Sequence, residues 1–445
     1  MFNFRKTIKK YWFPILVLFI IILSAVIWLP KYGAWTGATD VEYQVIAQNM
    51  LEGKGYSLDE EKTMKREPAY PTFLFLNYKI FGVNSNLIRF EQLIFLFLIC
   101  FLTYKLSKEF FNEAVAKIAT LAIAIHPLFI IYVTDRVSEI LATFLILLFC
   151  FVLLKSVGRE NLLFSFLSGS ILGLLVLTKS IFIFIPIFAV IFYLFKGGNK
   201  KLVKATLFFL AFVIFVSPWF LRNYTYFDTW SIAERGGLIT YMHTLKTKLY
   251  GQDLKDYLVS SFLSQYFVRL ENPSFKIADI NKTPVNEEID ELLGEGYSRR
   301  EIDILFAEKA KESWKQHPIK NFLLGFTQLS RANSPTVPKD SIMYVYAVPD
   351  SLFMKFARGA VLVFIRLFWL IVLLLMVYGV YKTIRLKKYY LLPLIFLIVY
   401  LNGLLSLFDT APRHIFPIYP LYFIFFAFGL SFLLSPDPGG RGKNL

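Results

Sequence analysis

Two carboxylates, Asp40 and Glu42, stand at the head of the stretch TDVEYQVIAQNMLEGKGY, just beyond the first apolar run of the chain. A carboxylate with an ordinary pKa of about 4 is ionised at neutral pH. Asp40 is therefore able to take the proton of an attacking hydroxyl as a general base. A structural role is open to both acids. Thr39 with Glu42 has the spacing of a capping box, and an acid in the first turn favours the helix dipole. Capping is the simpler role for Glu42, whereas both roles stand for Asp40. Farther on, Lys65, Arg66 and Glu67 precede Pro68 and Pro71, which set a turn into another apolar helix. Arg136, Lys179, Arg222, Arg413 and His414 sit at the ends of apolar runs. Charges at a membrane edge are costly and are functional candidates by default, the alternative being that they snorkel to headgroups. Asp135 and Glu139 flank Arg136 and are candidates to pair with it; Asp135 is also a candidate for acceptor binding.

Other chemistries find little support. His126, His243, His317 and His414 are far apart and form no HxH or HExxH set. His126, just before Pro127, reads as a core histidine. No obligatory cofactor or metal is expected, and a divalent ion has no ligand pattern behind it. There is no GxGxxG, no P-loop and no DxD motif. Gly236-Gly237 reads as a turn. Cys100 and Cys150 both fall in apolar runs, where a thiol behaves as a small hydrophobe, and two cysteines make no disulfide framework.

The elements that must carry these residues follow from composition. Of 445 residues, 56% are hydrophobic and only 18% charged. A soluble domain carries about 25% charge and could not bury so much apolar surface. Soluble, disordered and fibrous classes are excluded; an all-α polytopic membrane protein remains. Ten apolar segments lie near 12–29, 88–104, 114–133, 139–154, 162–178, 181–195, 204–221, 359–381, 390–408 and 414–434. They predict about ten transmembrane helices. Basic clusters fall in alternate gaps: Arg5 to Lys10, Lys105 to Lys117, Lys155 and Arg159, Lys196 to Lys204, Lys382 to Lys388, and Arg441 and Lys443. By the positive-inside rule these gaps and both termini are cytoplasmic. The net charge of +16 is then largely a topology signal, and no nucleic-acid partner is expected. The first segment is longer than a signal-peptide core and reads as a retained helix.

The opposite, extracytoplasmic side holds the long gaps 30–87 and 222–358 and the short polar gaps TDRVSE, TKS and DTAPRH. In the first, Tyr43, Ile46, Ala47, Met50 and Leu51 make one helical stripe ended by Gly53 and Gly55, as expected of a helix lying flat on the membrane. The second shows no strand alternation. Its stretch IDELLGEGYSRREIDILFAEKAKESW carries a capping box, Ser298 with Glu301, and predicts a mainly helical region before the last three spans. The expected organisation is a membrane region over 1–221 with its first outer loop at 30–87, a loop domain over 222–358, C-terminal helices over 359–434 and a cytoplasmic tail over 435–445.

An Asp-led helix after the first span, then a charged stretch with Pro68-Ala69-Tyr70-Pro71 opening a helix, resembles the C-type glycosyltransferase superfamily. The pattern is most similar to glycosyltransferase family 39, the protein O-mannosyltransferase-like and aminoarabinose-transferase-like enzymes. Further matches are TDRVSEILATFLILL, LTKSIFIFIPIF, SPWFLRNYTYFDTWSIAERGG and PRHIFPIYPLYFIFFAFGL, in the family's order. The likeness covers roughly residues 10–240 and 385–434. It implies a sugar moved, with inversion, from a polyprenyl-phosphate donor in the cytoplasmic membrane to an extracytoplasmic acceptor, which is a lipid, a glycan or a protein. It implies that Asp40 is the base, with Glu42, Asp135 and Glu67 in acceptor or supporting roles. Arg222, Arg413, Arg66, Lys65, Lys179, Arg136 and His414 would hold the donor phosphate, since fixed cations stabilise a leaving phosphate. Two departures bear on this. The family often has adjacent acids where this chain has Asp40-Val41-Glu42, and the phosphate-binding lysine of aminoarabinose transferases falls on Glu67, leaving Lys65 or Arg66 for that contact. An envelope-polysaccharide polymerase or ligase, and a lipid-linked-sugar transporter or flippase, are the alternative functions; few charges inside the spans and no repeated broken helices speak against the transporter.

Overall fold

The computed structural model describes residues 4–32, 38–58, 61–158, 161–234, 236–276, 278–334 and 352–434. Their regular structure is helical, apart from strands β1 (Ser57–Leu58) and β2 (Glu61–Lys62), an antiparallel hairpin. The chain divides into two units. The first holds the chain up to Ala233, Leu373–Leu397 and the part from Pro417 on; the second holds Glu234–Val372 and Ile398–Phe416.

In the first unit the helices are α1 (Phe4–Tyr32), α2 (Ala38–Leu51), α3 (Ala69–Phe81), α4 (Ser85–Phe110), α5 (Glu113–Ile125), α6 (Pro127–Thr134), α7 (Glu139–Val157), α8 (Leu163–Thr178), α9 (Ile185–Lys196) and α10 (Lys201–Phe227). All ten apolar segments of the sequence are helical. Among the described residues, five helices are long and apolar enough to cross a membrane, and α5 with α6 makes a sixth candidate, bent by 49°. The bend falls at His126-Pro127, because proline has no N–H to continue the ladder. His126 there caps α6 by accepting from the Leu128 N–H at 3.3 Å and packs among Phe129, Tyr419 and Phe423. The remaining apolar helices, such as Leu163–Thr178, are shorter; a 16-residue helix spans only about 24 Å at 1.5 Å per residue, less than the hydrocarbon core.

The packing is that of a membrane protein. On α1, Phe13, Val17, Ile21 and Ala25 are buried at four-residue spacing, while Ile15, Phe19, Ile22 and Val26 are exposed. An apolar outward face has no reason to exist in water and suits lipid tails. Helices α8 and α10 meet through small residues: a Cβ on Gly169 would lie 2.0 Å from the Phe208 carbonyl oxygen, so only glycine permits this backbone approach.

The stripe of α2 forms as its spacing predicts, and Gly53 and Gly55 follow it in the left-handed region at φ 79° and 72°. Its environment differs from the sequence expectation. Tyr43 and Ala47 are buried against Tyr70, Leu74 and Tyr78 of α3. The stripe packs on protein because α3, opened by Pro68, supplies an apolar face of its own.

The second unit contains α11 (Gly236–Thr244), α12 (Gly251–Phe262), α13 (Gln265–Glu271), α14 (Ala278–Gly294), α15 (Arg299–Gln316) and α16 (Pro318–Ala332), as the absence of strand alternation predicts. The Ser298–Glu301 capping box is present at the start of α15. Gly236-Gly237 opens α11 instead of forming a free turn. The N–H groups of Gly237 and Leu238 donate to the Asp303 carboxylate at 3.3 and 2.8 Å, and a Cβ on Gly237 would overlap the Asp303 carbonyl. Tyr241, Val285, Ile302, Phe306 and Ala310 form the core of these helices. Then follow α17 (Leu352–Arg385), α18 (Leu392–Leu405), α19 (Pro412–Ile415) and α20 (Tyr419–Leu434), with unit boundaries falling inside α17 and α18.

Candidate active site

In the first unit four segments from distant parts of the sequence meet: the loop after α2, the α6–α7 turn, the α8–α9 turn and the end of α10. They are the gaps and span ends that carry most of the charged candidates. Asp40 lies in the first turn of α2; its side chain is outside the described ones. Glu42 follows two residues on in the same helix. Its carboxylate accepts from Lys65 Nζ at 2.7 Å and Arg66 Nη2 at 2.5 Å. Arg66 is buried and lies over the Tyr43 ring at 5.3 Å. Burial alone would pull its pKa down, but Tyr43 and Glu42 beside it hold the guanidinium above its ordinary value. Burial first, then the charge of Glu67, pushes the Tyr43 hydroxyl up to about 12, so Tyr43 stays a neutral donor at any physiological pH.

The surroundings of Glu67 explain what an acid does there. Its Oε1 accepts from the Ser180 N–H at 3.1 Å and the Ser180 hydroxyl at 2.8 Å. It thereby ties the first outer loop to the α8–α9 turn. Lys179 in the same turn donates to Glu139 at 3.1 Å. Glu139 thus pairs with Lys179. Arg136, at φ 49°, donates to Gln44 Oε1 at 3.0 Å and to Ser85 Oγ. Asp135 caps the end of α6 and is buried.

Arg222 differs from these cations. Nη1 donates to Asn223 Oδ1 at 2.7 Å and Nη2 to the Tyr56 carbonyl at 3.1 Å. Its guanidinium lies 4.5 Å from the Trp219 ring centre, 5.3 Å from Tyr56 and 5.2 Å from Phe227. Its partners among the described residues are neutral, so its charge is held in an aromatic box without a carboxylate. Tyr56 closes the box by donating to the carbonyls of Arg66 and Glu67 at 2.9 and 3.2 Å. Trp219 is fixed by its indole N–H to the Ile232 carbonyl at 2.8 Å. Trp219 stands in the SPWFLRNY motif and was open to sequence reasoning; Tyr56, beyond Gly53 and Gly55, carried no signal.

Arg413 and His414 belong to the second unit. Within it, Arg413 Nε approaches His414 Nε2 at 3.4 Å, and His414 Nδ1 accepts from the Ala411 N–H at 3.3 Å. Their loop is anchored by a buried charge cluster that sequence reasoning missed. Asp409 accepts from Lys246 Nζ at 2.5 Å and Arg331 Nη1 at 2.9 Å. Burial would raise the Asp409 pKa, but Lys246 and Arg331 overcome it and hold the acid down at about 2. Gln328 Oε1 takes the Thr410 N–H at 3.2 Å. Nearby, His243 stacks on Trp314 and its Nε2 meets the Asn321 carbonyl at 3.2 Å. Burial and the Lys246 charge lower its pKa to about 4. A separate cleft of about 470 Å³ lies between Tyr241, Lys248 and Tyr250 on one side and Lys309, Ser313 and His317 on the other. Among the described residues, no group of three His, Cys, Asp or Glu is placed to hold a metal.

With this geometry in hand, comparison with known proteins is informative. Residues 65–221 match the family of dolichyl-phosphate-mannose-protein mannosyltransferases. No curated protein sequence matches the chain. Among solved structures, the archaeal oligosaccharyltransferase AglB from Archaeoglobus fulgidus, in complex with an inhibitory peptide and a dolichol-phosphate, is similar at a TM-score of 0.50 and 15% identity, over 98% of this chain and 53% of that one. The apo form of the Archaeoglobus fulgidus oligosaccharyltransferase gives 0.51 and 16%, over 98% and 53%. ArnT from Cupriavidus metallidurans bound to undecaprenyl phosphate gives 0.41 and 13%, over 94% and 77%. The chain spans about half the length of the archaeal enzymes, and likeness at such identity speaks to the fold. The chain thus has a helical fold similar to that of the archaeal oligosaccharyltransferase, with a sequence match over residues 65–221 to the dolichyl-phosphate-mannose-protein mannosyltransferase family.

Proposed function

We propose that the protein is an inverting membrane glycosyltransferase that moves a sugar from a polyprenyl-phosphate donor to an extracytoplasmic acceptor. The observation that carries this reading is Arg222: a half-buried cation at the end of a span, boxed by Trp219, Tyr56 and Phe227, whose partners among the described residues are neutral. A cation so placed is suited to an incoming anion. The other charged groups around it, Glu42 with Lys65 and Arg66, and Glu139 with Lys179, are mutually paired and serve as scaffold. In the proposed step the acceptor oxygen attacks the anomeric carbon while Asp40 takes its proton. The bond from that carbon to the phosphate oxygen breaks, and polyprenyl phosphate leaves with the bonding pair. Arg222 stabilises its growing charge through bidentate contacts. Lys65, Arg66, Lys179 and Arg136 contribute positive field, and Glu67 and Asp135 hold the loops that admit the acceptor.

The test is incubation of the purified protein with a panel of radiolabelled polyprenyl-phosphate sugars, with and without membrane extract as the acceptor source. Released polyprenyl phosphate and label on a new acceptor are expected for one donor. Intact donor throughout the panel, with retained donor binding, would instead favour transport.

A further inference from the structure

Helix α16 (Pro318–Ala332) is inside out by the standards of a water-soluble unit. Its inward face is largely polar: Asn321, Thr327 and Gln328 are buried there beside Leu324 and Ala332. Each polar side chain is hydrogen bonded there, Asn321 to the Ser313 carbonyl at 3.0 Å, Thr327 to the Tyr257 hydroxyl at 2.7 Å, and Gln328 to the same hydroxyl at 3.0 Å. Its outward face is apolar. Ile319, Phe322, Leu323 and Phe326 recur at helical spacing and are 73%, 63%, 57% and 51% exposed. Ser330 donates to the Ser261 carbonyl at 2.9 Å, which brings the exposed Phe262 and Leu263 to the far end of the same stripe. A continuous apolar face of this kind is rarely left to water.

The second unit itself says what covers the stripe. A Cβ on Gly325 would lie 3.0 Å from the Ser406 carbonyl, and Asn333 donates to Asn402 at 2.8 Å. Both partners sit at the C-terminal end of α18, an apolar helix whose Val399, about one turn earlier, is itself exposed. Helix α16 therefore lies beside the end of an apolar helix, a place that suits the headgroup and acyl boundary of a bilayer. We infer that α16 is an interfacial helix whose Ile319, Phe322, Leu323 and Phe326 insert into the outer edge of a lipid bilayer. The sequence assigned that role to α2, whose stripe is covered by α3; the structure leaves it to α16.

Membrane seating of α16 has a consequence for the loop 409–414. Arg331, at the last turn of α16, holds Asp409 at 2.9 Å, and Gln328 holds Thr410. The depth of α16 thus sets the height of Arg413 above the bilayer. This second part rests on the donor-phosphate role that the family resemblance implies for Arg413, whereas the seating does not.

The experiment reads depth directly and needs no activity. In full-length protein freed of Cys100 and Cys150 and placed in nanodiscs of phosphatidylcholine and phosphatidylglycerol, spin labels are attached at Ile319→Cys, Leu323→Cys and Phe326→Cys, with Lys315→Cys on α15 as the water-exposed reference. Oxygen, which partitions into lipid, should relax the first three labels more than a water-soluble nickel chelate does, and the order should reverse at position 315. Nickel-dominated relaxation at 319, 323 and 326 would overturn the inference. If depth is as expected but Phe322→Asp with Phe326→Asp leaves transferase turnover unchanged in a folded protein, the link to Arg413 fails while the seating stands.

Discussion

At the scale of single residues, Asp40 and Arg222 carry the chemistry that most needs testing. Asp40→Asn keeps the shape and the capping ability of the side chain but cannot accept a proton. Loss of a general base costs about 10²–10⁴ in rate, whereas loss of a cap costs about 1 kcal/mol of stability. A folded Asp40→Asn protein that binds donor and turns over at under about a tenth of the wild-type rate is expected; near-normal turnover would return Asp40 to a structural role. Glu42→Gln leaves the buried Arg66 with Lys65 and no carboxylate between them, so a stability loss of about 2 kcal/mol or more is expected in chemical unfolding. Arg222→Lys retains a positive charge but loses the planar fork and its stacking on Trp219. Donor binding should fall nearly as far as in Arg222→Ala, because a guanidinium's bidentate and stacked contacts do not transfer to an ammonium. Full rescue by lysine would show that charge alone matters.

At the scale of elements, the second unit is held by groups whose protonation is tied to its packing. His243 is neutral when folded, with a pKa lowered to about 4, and takes up a proton near 6.5 when unfolded. The unfolded state therefore binds more protons between those values. The stability contributed by burying neutral His243 is present above about pH 6.5 and falls as the pH drops toward 4. Asp409 acts lower: with a folded pKa of about 2, its contribution is present above the unfolded value near 3.9 and is lost below it. Melting of wild type should drop steeply between pH 7 and 4.5, and His243→Gln should show a shallower drop; parallel curves would remove His243 from the account. Asp409→Asn strands Lys246 and Arg331 as buried cations, and about 3–5 kcal/mol should be lost at neutral pH, seen as a lowered denaturation midpoint.

At the scale of the whole molecule, the proposal depends on sidedness, which the alternating Lys and Arg clusters imply but packing does not report. Cysteines introduced at exposed Glu61 and Asp290, in a background without Cys100 and Cys150, should both react with an impermeant thiol reagent in intact cells. Labelling of one alone would break the topology and with it the extracytoplasmic site.

Sequence alone determined what depends on each segment's own chemistry. Whether a stretch prefers lipid is a sum of residue transfer energies, so all ten apolar runs were legible and all are helical. Local hydrogen bonding was legible for the same reason: the Ser298–Glu301 box and the glycines after α2 lie within a few residues of their cause. Tertiary structure decided what depends on proximity across the chain. Arg222 and the Tyr56 carbonyl are 166 residues apart in sequence, Lys246 and Asp409 are 163 apart, and Glu67 and Ser180 are 113 apart. No local rule tells an acid such as Glu42 whether to cap its own helix or to neutralise Arg66. The choice follows from which loop the packing of α2 on α3 brings alongside. Equally, an apolar stripe does not say what will cover it. The spacing was correct for α2, but only the structure shows that α3 covers its stripe.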